Sequence, residues 1–266
     1  MRIMCLNGWG GKLHGSLMPY LRETSPDVLC LQEVVHTPTA SKDWLTYRDG
    51  DHILPQRARF FDDVRKALPD HVAMFCPAAQ GNLWYDETPV PSQWGLATFV
   101  HPAFPIIAQA QSFVHKSFSP DGFGDHPRSR NAHAIRVHDF DKGWSVTIAY
   151  MHGLRDPNGK MDTPDRLAQA NKLAELASYV AEPGGRMVVC GDFNVKPESE
   201  TFTVLGNLGL TDLVSTRGFE STRTSHYKKP GRFADYMLVN AAVTVVDFQV
   251  VEQPEVSDHR PLILEI

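Results

Sequence analysis

Met187-Val188-Val189-Cys190-Gly191-Asp192-Phe193-Asn194 sets four apolar residues directly before a glycine and two short polar side chains. The apolar run reads as a strand. Asp192 and Asn194, two apart, present polar arms at its end while Gly191 keeps the backbone open, although the same residues also suit an Asx turn. Runs of this kind recur at 2–6, 28–31, 71–75, 96–100, 132–137, 145–150, 234–239, 243–251 and 261–266. Helical periodicity lies between some of them, at 13–23, 60–68 and 164–181, and Pro164 suits a first helical turn. Strand and helix interleave, which places the chain in the α/β class. The Gly- and Pro-containing stretches 80–93 and 117–130 carry no helical period and read as long surface loops.

The 266 residues are 42% hydrophobic and 21% charged, which excludes disordered and fibrous classes. Length alone leaves the domain count open. A net charge of −5 argues against a wholly basic, duplex-binding surface while permitting a local basic groove. The first residues lack a secretory layout, and no apolar run is long enough to span a membrane. Cys5, Cys30, Cys76 and Cys190 show no CxxC spacing, and three sit in apolar runs, as expected for buried reduced thiols in a cytoplasmic protein.

Polar residues close several of these runs, where a side chain can turn into a shared cleft. Asn7 ends the first and Gln32-Glu33 the second. His152 follows Tyr150-Met151, Asp235 opens an apolar stretch, and Ser257-Asp258-His259 precedes the last strand. An Asp partnered with a His fixes a tautomer and raises basicity. Each signal alone has a bland reading as a solvated loop or a structural histidine.

In order, Asn7, Gln32-Glu33, His152, Gly191-Asp192-Phe193-Asn194, Asp235 and Ser257-Asp258-His259 resemble the motif series of the endonuclease/exonuclease/phosphatase superfamily, which includes deoxyribonuclease I. Gln93-Trp94-Gly95-Leu96-Ala97 resembles its Gly-x-Ala strand. The first motif, Cys5-Leu6-Asn7-Gly8-Trp9, lacks the acid shortly after Asn that several nuclease branches carry, and His152 stands where the abasic-site group has Tyr. The match is therefore closer to the deoxyribonuclease I and phosphatase branches. The resemblance implies a single domain over residues 1–266, built as a four-layer α-β-β-α sandwich of two packed mixed sheets with outer helices and a site at one end.

It also implies a Mg²⁺-dependent phosphoesterase, with Mn²⁺ as substitute and phosphodiesters the leading substrates. Asn7, Glu33 and Asp258 would be metal ligands, hard oxygen donors that suit Mg²⁺. Asp192 would orient or deprotonate water, Asn194 would hold it or a phosphoryl oxygen, and His152 would donate to developing charge. Asp235 would hold His259, leaving Asp192 and His259 as alternative bases. Substrate-binding candidates are Arg128, Arg130, Arg166, Lys228, Lys229 and Arg232, the last three forming the densest basic cluster. Trp84, Tyr85, Trp94 and Phe123 are candidate stacking residues in or beside long loops. The alternatives within this chemistry are a DNA or RNA nuclease and a small-molecule, inositol or lipid-headgroup phosphatase. Outside it stand a non-catalytic binding module and a zinc site, for which the 12 histidines provide no helical i, i+4 pair with a third ligand. Oligomeric state is left open.

Overall fold

The computed structural model describes residues 1–266. The chain runs β1 (Arg2–Asn7), α1 (His14–Thr24), β2 (Val28–His36), β3 (Trp44–Asp49), β4 (His52–Arg57), α2 (Phe60–Ala67), β5 (Val72–Tyr85), β6 (Thr88–Val100), β7 (Ile106–His115), β8 (Arg130–Asp139) and β9 (Trp144–His152). It continues with α3 (Pro164–Val180), β10 (Arg186–Asp192), α4 (Glu200–Gly206), β11 (Leu210–Asp212), α5 (Leu213–Thr216), β12 (Asp235–Asn240), β13 (Asp247–Val250) and β14 (Leu262–Glu265). An eight-stranded sheet has the order β13-β14-β1-β2-β6-β5-β3-β4, and a six-stranded sheet β11-β12-β10-β9-β8-β7. Both are mixed: β1 runs parallel to β2, and β9 parallel to β10, among antiparallel neighbours.

Strand periodicity explains the layering. Ile3 and Cys5 of β1 face the core between the sheets, whereas Met4 and Leu6 face α1 and α2. Val28 and Cys30 against Leu29 and Leu31 repeat the alternation on β2. Helix α3 covers the outer face of β7, β8 and β9, with Pro164 at its first position and Thr163 Oγ1 accepting from the Arg166 N–H. The layers are thus helix, sheet, sheet, helix, as the resemblance implies.

Two expectations are corrected. Residues 80–93 form the outer half of the β5–β6 hairpin, with Gly81 opposite Ser92 and Trp84 opposite Pro89, so Trp84, Tyr85 and Trp94 are strand residues. Pro89 and Pro91 lie beyond Gln93, the last β6 residue paired with β2. One side of the strand is open there, so the missing N–H groups need interrupt no ladder. Only 247–250 of the run 243–251 is strand, because a turn after β12 takes up the preceding residues, the Val243 N–H donating to the Asn240 carbonyl at 3.0 Å. Residues 117–129 are irregular as expected. The β3–β4 hairpin and β7 are additional strands.

Polar contacts cross the apolar gap between the sheets. Thr98 Oγ1 on β6 lies 2.8 Å from the Tyr150 hydroxyl and 2.7 Å from His133 Nδ1, and Asn131 Nδ2 donates to the Cys76 carbonyl at 2.8 Å. Burial pulls the His133 pKa down to about 4. Its stabilising contribution is complete above the unfolded-state value of about 6.5 and is lost as pH falls toward 4, because the unfolded chain takes up the proton first. At about 1.4 kcal/mol per pKa unit this amounts to about 3 kcal/mol. His133→Asn should therefore lower stability at pH 7 yet flatten its decline between pH 6.5 and 4, as urea titrations across that range would show. An unchanged slope would remove His133 as the source.

Candidate active site

The parallel pairs β1–β2 and β9–β10 and the antiparallel pair β10–β12 bring functional side chains to one end of the sandwich. Asn7 ends β1 opposite Gln32, His152 ends β9 opposite Asp192, and Asp235 opens β12 across from Asp192. Glu33 sits at an irregularity in the β2–β6 ladder between Leu31 and Val34, at φ +55°. This break aims it off the strand's regular alternation. Gly191 adopts φ +141°, and a Cβ there would lie 2.2 Å from the Met151 carbonyl oxygen. No other residue fits. That close approach seats the end of β10 against β9.

Asn7 Nδ2 donates to Asp192 Oδ2 at 3.0 Å, and the Asn194 N–H donates to Asp192 Oδ1 at 3.1 Å. His152 Nε2 lies 3.7 Å from Asp192 Oδ2 and 3.8 Å from Glu33 Oε1. His259 Nε2 lies 3.6 Å from Asp192 Oδ2 and 3.8 Å from Asp258 Oδ1. Its Nδ1 contacts both Asp235 oxygens, at 2.8 and 2.9 Å, and Arg223 Nη1 contacts Nε2. Arginine is always a donor, so Nε2 accepts and Nδ1–H donates to Asp235. Asp192, Asp235 and His259 thus form a compact buried group. With both imidazole nitrogens engaged, the group reads as an oriented histidine rather than a metal cage. The oxygens of Glu33, Asn7, Asp192 and Asp258 on its other side are better suited to a hard cation.

Burial and the nearby Asp258 and Asp192 charges push the Glu33 carboxyl up to about 7, against the opposing effects of the Asn7 hydrogen bond and Arg130. Burial, then the Arg223 charge, pulls His259 down to about 4. His152 moves the same way through burial and Arg130, so both imidazoles are neutral at pH 7. Arg130 stays cationic, its Nε donating to the Gly153 carbonyl at 3.0 Å while its guanidinium lies over Trp94. The cleft above these groups measures about 960 Å³. Ten Lys or Arg residues line it against four Asp or Glu, so its walls are basic although the chain's net charge is −5.

The family model described as Endonuclease/Exonuclease/phosphatase family matches residues 5–259. The chain belongs to this family. It is accordingly a hydrolytic enzyme, a phosphoesterase, of a family that is generally divalent-metal dependent. The mannosyl-6-phosphatase Bt3783 of Bacteroides thetaiotaomicron VPI-5482 has 14% identity and a TM-score of 0.68, over 100% of this chain and 98% of that one. The human Nocturnin catalytic domain with bound sulfate has 18% identity and a TM-score of 0.65, over 99% and 93%. ANGEL2, a 2',3'-cyclic phosphatase, has 14% identity and a TM-score of 0.65, over 99% and 93%. These likenesses show the deoxyribonuclease I-like fold. No curated protein sequence gives a significant match.

Around the family's motif residues, the second group of candidates divides. Arg130 reaches the central cluster. Arg128 lines the outer cleft but pairs with Asp49 at 3.0 Å and contacts the Tyr47 hydroxyl. Arg166 is buried with its guanidinium on the Gly159 and Met161 carbonyls, an anchor for the segment before α3. Lys228, Lys229 and Arg232 line the cleft away from the cluster, and Lys228 Nζ donates to the Ser225 carbonyl at 2.7 Å. Sequence reading missed Arg223, Lys160, Arg155 and Trp9, all of which line the cleft. None follows an apolar run in a way that marks it.

Glu33 gives a testable pH dependence. Its folded-state pKa lies above the ordinary 4.5, so its stabilising contribution is complete below about 4.5 and is lost as pH rises through 7. The side chain is 27% exposed, which reduces the energetic effect to about 1–2 kcal/mol. In EDTA, Glu33→Gln should be more stable than the parent by that amount at pH 8, with the gap closing by pH 5 in urea titrations. Equal stability at both pH values would show that no strained charge resides there.

Proposed function

We propose that this chain is a Mg²⁺-dependent hydrolase of phosphate esters, with phosphodiesters its leading substrates and Mn²⁺ able to substitute. The observation that carries the reading is convergence at one end of the sandwich of Asn7, Glu33, Asp192 and Asp258 oxygens with neutral His152 and oriented His259. These donors fit a hard divalent cation: all are oxygen, and the like charges of Glu33, Asp258 and Asp192 repel until one is neutralised. Asn7, Glu33 and Asp258 would hold the ion, which would supply charge stabilisation to the phosphoryl oxygens.

The chain's own groups divide the remaining work. Asp192, pinned by Asn7 and Asn194, is placed to accept a proton from the attacking water. The occupied Nε2 of His259 favours Asp192 over His259 as that base. The new bond joins water oxygen to phosphorus as the ester P–O bond breaks, and the leaving oxygen takes the proton. His152 donates to developing negative charge, Asn194 holds the water or a phosphoryl oxygen, and Asp235 keeps His259 oriented. Arg130 contributes a fixed positive charge. The mannosyl-6-phosphatase, the cyclic phosphatase and the sulfate-bound Nocturnin domain support a phosphate-ester substrate. The non-catalytic reading requires a lost ligand or base, whereas none of the candidate ligands or bases is lost from this sequence.

A nucleic acid remains a second reading, favoured by the Lys228, Lys229 and Arg232 wall. Pairing of β1 with β14, from opposite ends of the described chain, supports a single domain across residues 1–266. The four cysteines are free and buried, which supports a cytoplasmic setting, and no helix is long and apolar enough to cross a membrane.

The test is hydrolysis of bis-para-nitrophenyl phosphate, mono-para-nitrophenyl phosphate, inositol phosphates and supercoiled plasmid, with and without Mg²⁺. Metal-independent turnover, or none on any ester, would overturn the proposal. Asp192→Asn and His259→Ala should each lower kcat by about 10²-fold or more, with a smaller loss for Asp235→Asn, which acts through His259. An Asp235→Asn loss equal to that of His259→Ala would break the assigned pairing. For a nucleic-acid substrate, replacing Lys228, Lys229 and Arg232 with Ala should raise KM and flatten its salt dependence, leaving small-diester hydrolysis unchanged. An unchanged plasmid KM and salt slope would remove this wall as the nucleic-acid contact.

A further inference from the structure

Arg223 is absent from the motif series, yet it touches two of its members. Residues 221–224 are clamped between the two segments that carry Asp235 and His259. The Thr222 N–H donates to the Arg232 carbonyl at 2.8 Å, the Arg260 N–H to the Thr222 carbonyl at 2.9 Å, and the Thr224 N–H to the Asp258 carbonyl at 3.1 Å. Thr222 Oγ1 also accepts from the Ala234 and Asp235 N–H groups, at 3.1 and 3.2 Å. The segment therefore sets the Arg223 side chain relative to both.

The guanidinium is only partly used. Nη1 contacts His259 Nε2 and lies 3.5 Å from Asp258 Oδ2, while the plane packs over Tyr227, 4.2 Å from its ring centroid. Arg223 is 8% exposed, and its buried Nε–H has no hydrogen-bond partner. A buried charge with an unmatched donor is costly unless a ligand completes it. Nη2 makes no hydrogen bond and is not among the fully buried atoms, which leaves a guanidinium donor free for an anionic oxygen in the cleft. The residue lines the same cleft as Glu33, His152 and Asp192, and Arg130 stands at another part of that wall.

We infer that Arg223 is a catalytic residue that binds a nonbridging phosphoryl oxygen through its free Nη2 group, beside His259. The inference rests on the phosphate-ester reading above and adds to it a second buried guanidinium. Two fixed cations, Arg130 and Arg223, then contact the reacting phosphoryl group, with Arg223 also bracing His259 through Nη1. Because the guanidinium is already in place, little reorganisation is needed as charge grows on that oxygen.

The test compares Arg223→Gln and Arg223→Lys with the parent. Arg223→Gln should lose about 10²-fold in kcat on bis-para-nitrophenyl phosphate, the scale for one oxyanion donor, with a smaller change in KM. Arg223→Lys should recover part of the loss. Guanidinium chloride at tens of millimolar should restore part of the Arg223→Gln rate and none of the parent's. Calorimetric titration of the metal-free proteins with inorganic phosphate should show affinity at least tenfold weaker in Arg223→Gln. Unaltered phosphate affinity, or a rate loss with no rescue that follows a fall in melting temperature, would make Arg223 a structural brace and overturn the inference. If the parent hydrolyses no phosphate ester, the functional proposal fails, while the phosphate titration still decides whether Arg223 binds the anion.

Discussion

One hydrogen bond ties the fold to the site: Asn7 Nδ2 donates to Asp192 Oδ2 at 3.0 Å, joining the eight-stranded sheet to the six-stranded one at their ends. Each partner uses its other polar atom to hold the loop after its own strand. Asn7 Oδ1 accepts from the Trp9 N–H, and Asp192 Oδ1 from the Asn194 N–H. Ser257 Oγ donates to the Asn7 carbonyl at 2.7 Å, bringing the Asp258-His259 turn to the same point. Both side chains are buried, so loss of either partner leaves an unmet group where water cannot compensate. The polar contacts through Thr98 and Asn131 and the apolar core hold the sheets together along their length, and at the site end the alignment of the three loops centres on Asn7 and Asp192.

Three of the six non-glycine residues at positive φ lie where those loops leave their strands. Trp9 at φ +50°, Glu33 at +55° and Asn194 at +54° are non-glycine residues in the left-handed region, each costing about 1–3 kcal/mol. They flank or belong to the acidic cluster, and the core behind them supplies the compensating packing. Phe193 and Val195 are fully buried on either side of Asn194, and the Tyr236 hydroxyl donates to the Val195 carbonyl at 3.0 Å. Regular strand ends would alternate their side chains between the two faces. The reversed backbone turns them out of that alternation toward the open end of the sandwich.

This strain also marks the limit of what the sequence discloses. The strand around Val188 was legible because a continuous apolar run follows directly from burial on both faces, and the order of Asn7, Glu33, His152, Asp192, Asp235 and His259 carried the resemblance to the family. The outer β5–β6 hairpin was illegible because Gly81, Pro89 and Pro91 mimic a loop, and only tertiary pairing shows that an open edge tolerates them. Arg128 and Arg223 show the corresponding limit at the site. Both are arginines near polar loops, yet one is held by Asp49 and Tyr47 and the other stands against His259. The distinction is made by partners distant in sequence, which local pattern does not encode.

The electrostatic layout gives these placements a common purpose. The cleft's centre holds Glu33, Asp192 and Asp258, with Asp235 buried behind His259, while Arg130, Arg223 and Lys160 provide cations beside them. His152 and His259, both pushed toward neutrality, lie among these charges and can orient or transfer a proton without adding a further fixed one. A centre of acids alone would repel a phosphate ester, and a purely basic cleft would hold its anionic product tightly. On the proposed reading, interleaving the two would let the acids take up a cation and the guanidiniums take up phosphoryl oxygens at adjacent positions. Those positions are fixed by backbone contacts at Gly153 and Thr222, so the field is set before any ligand arrives.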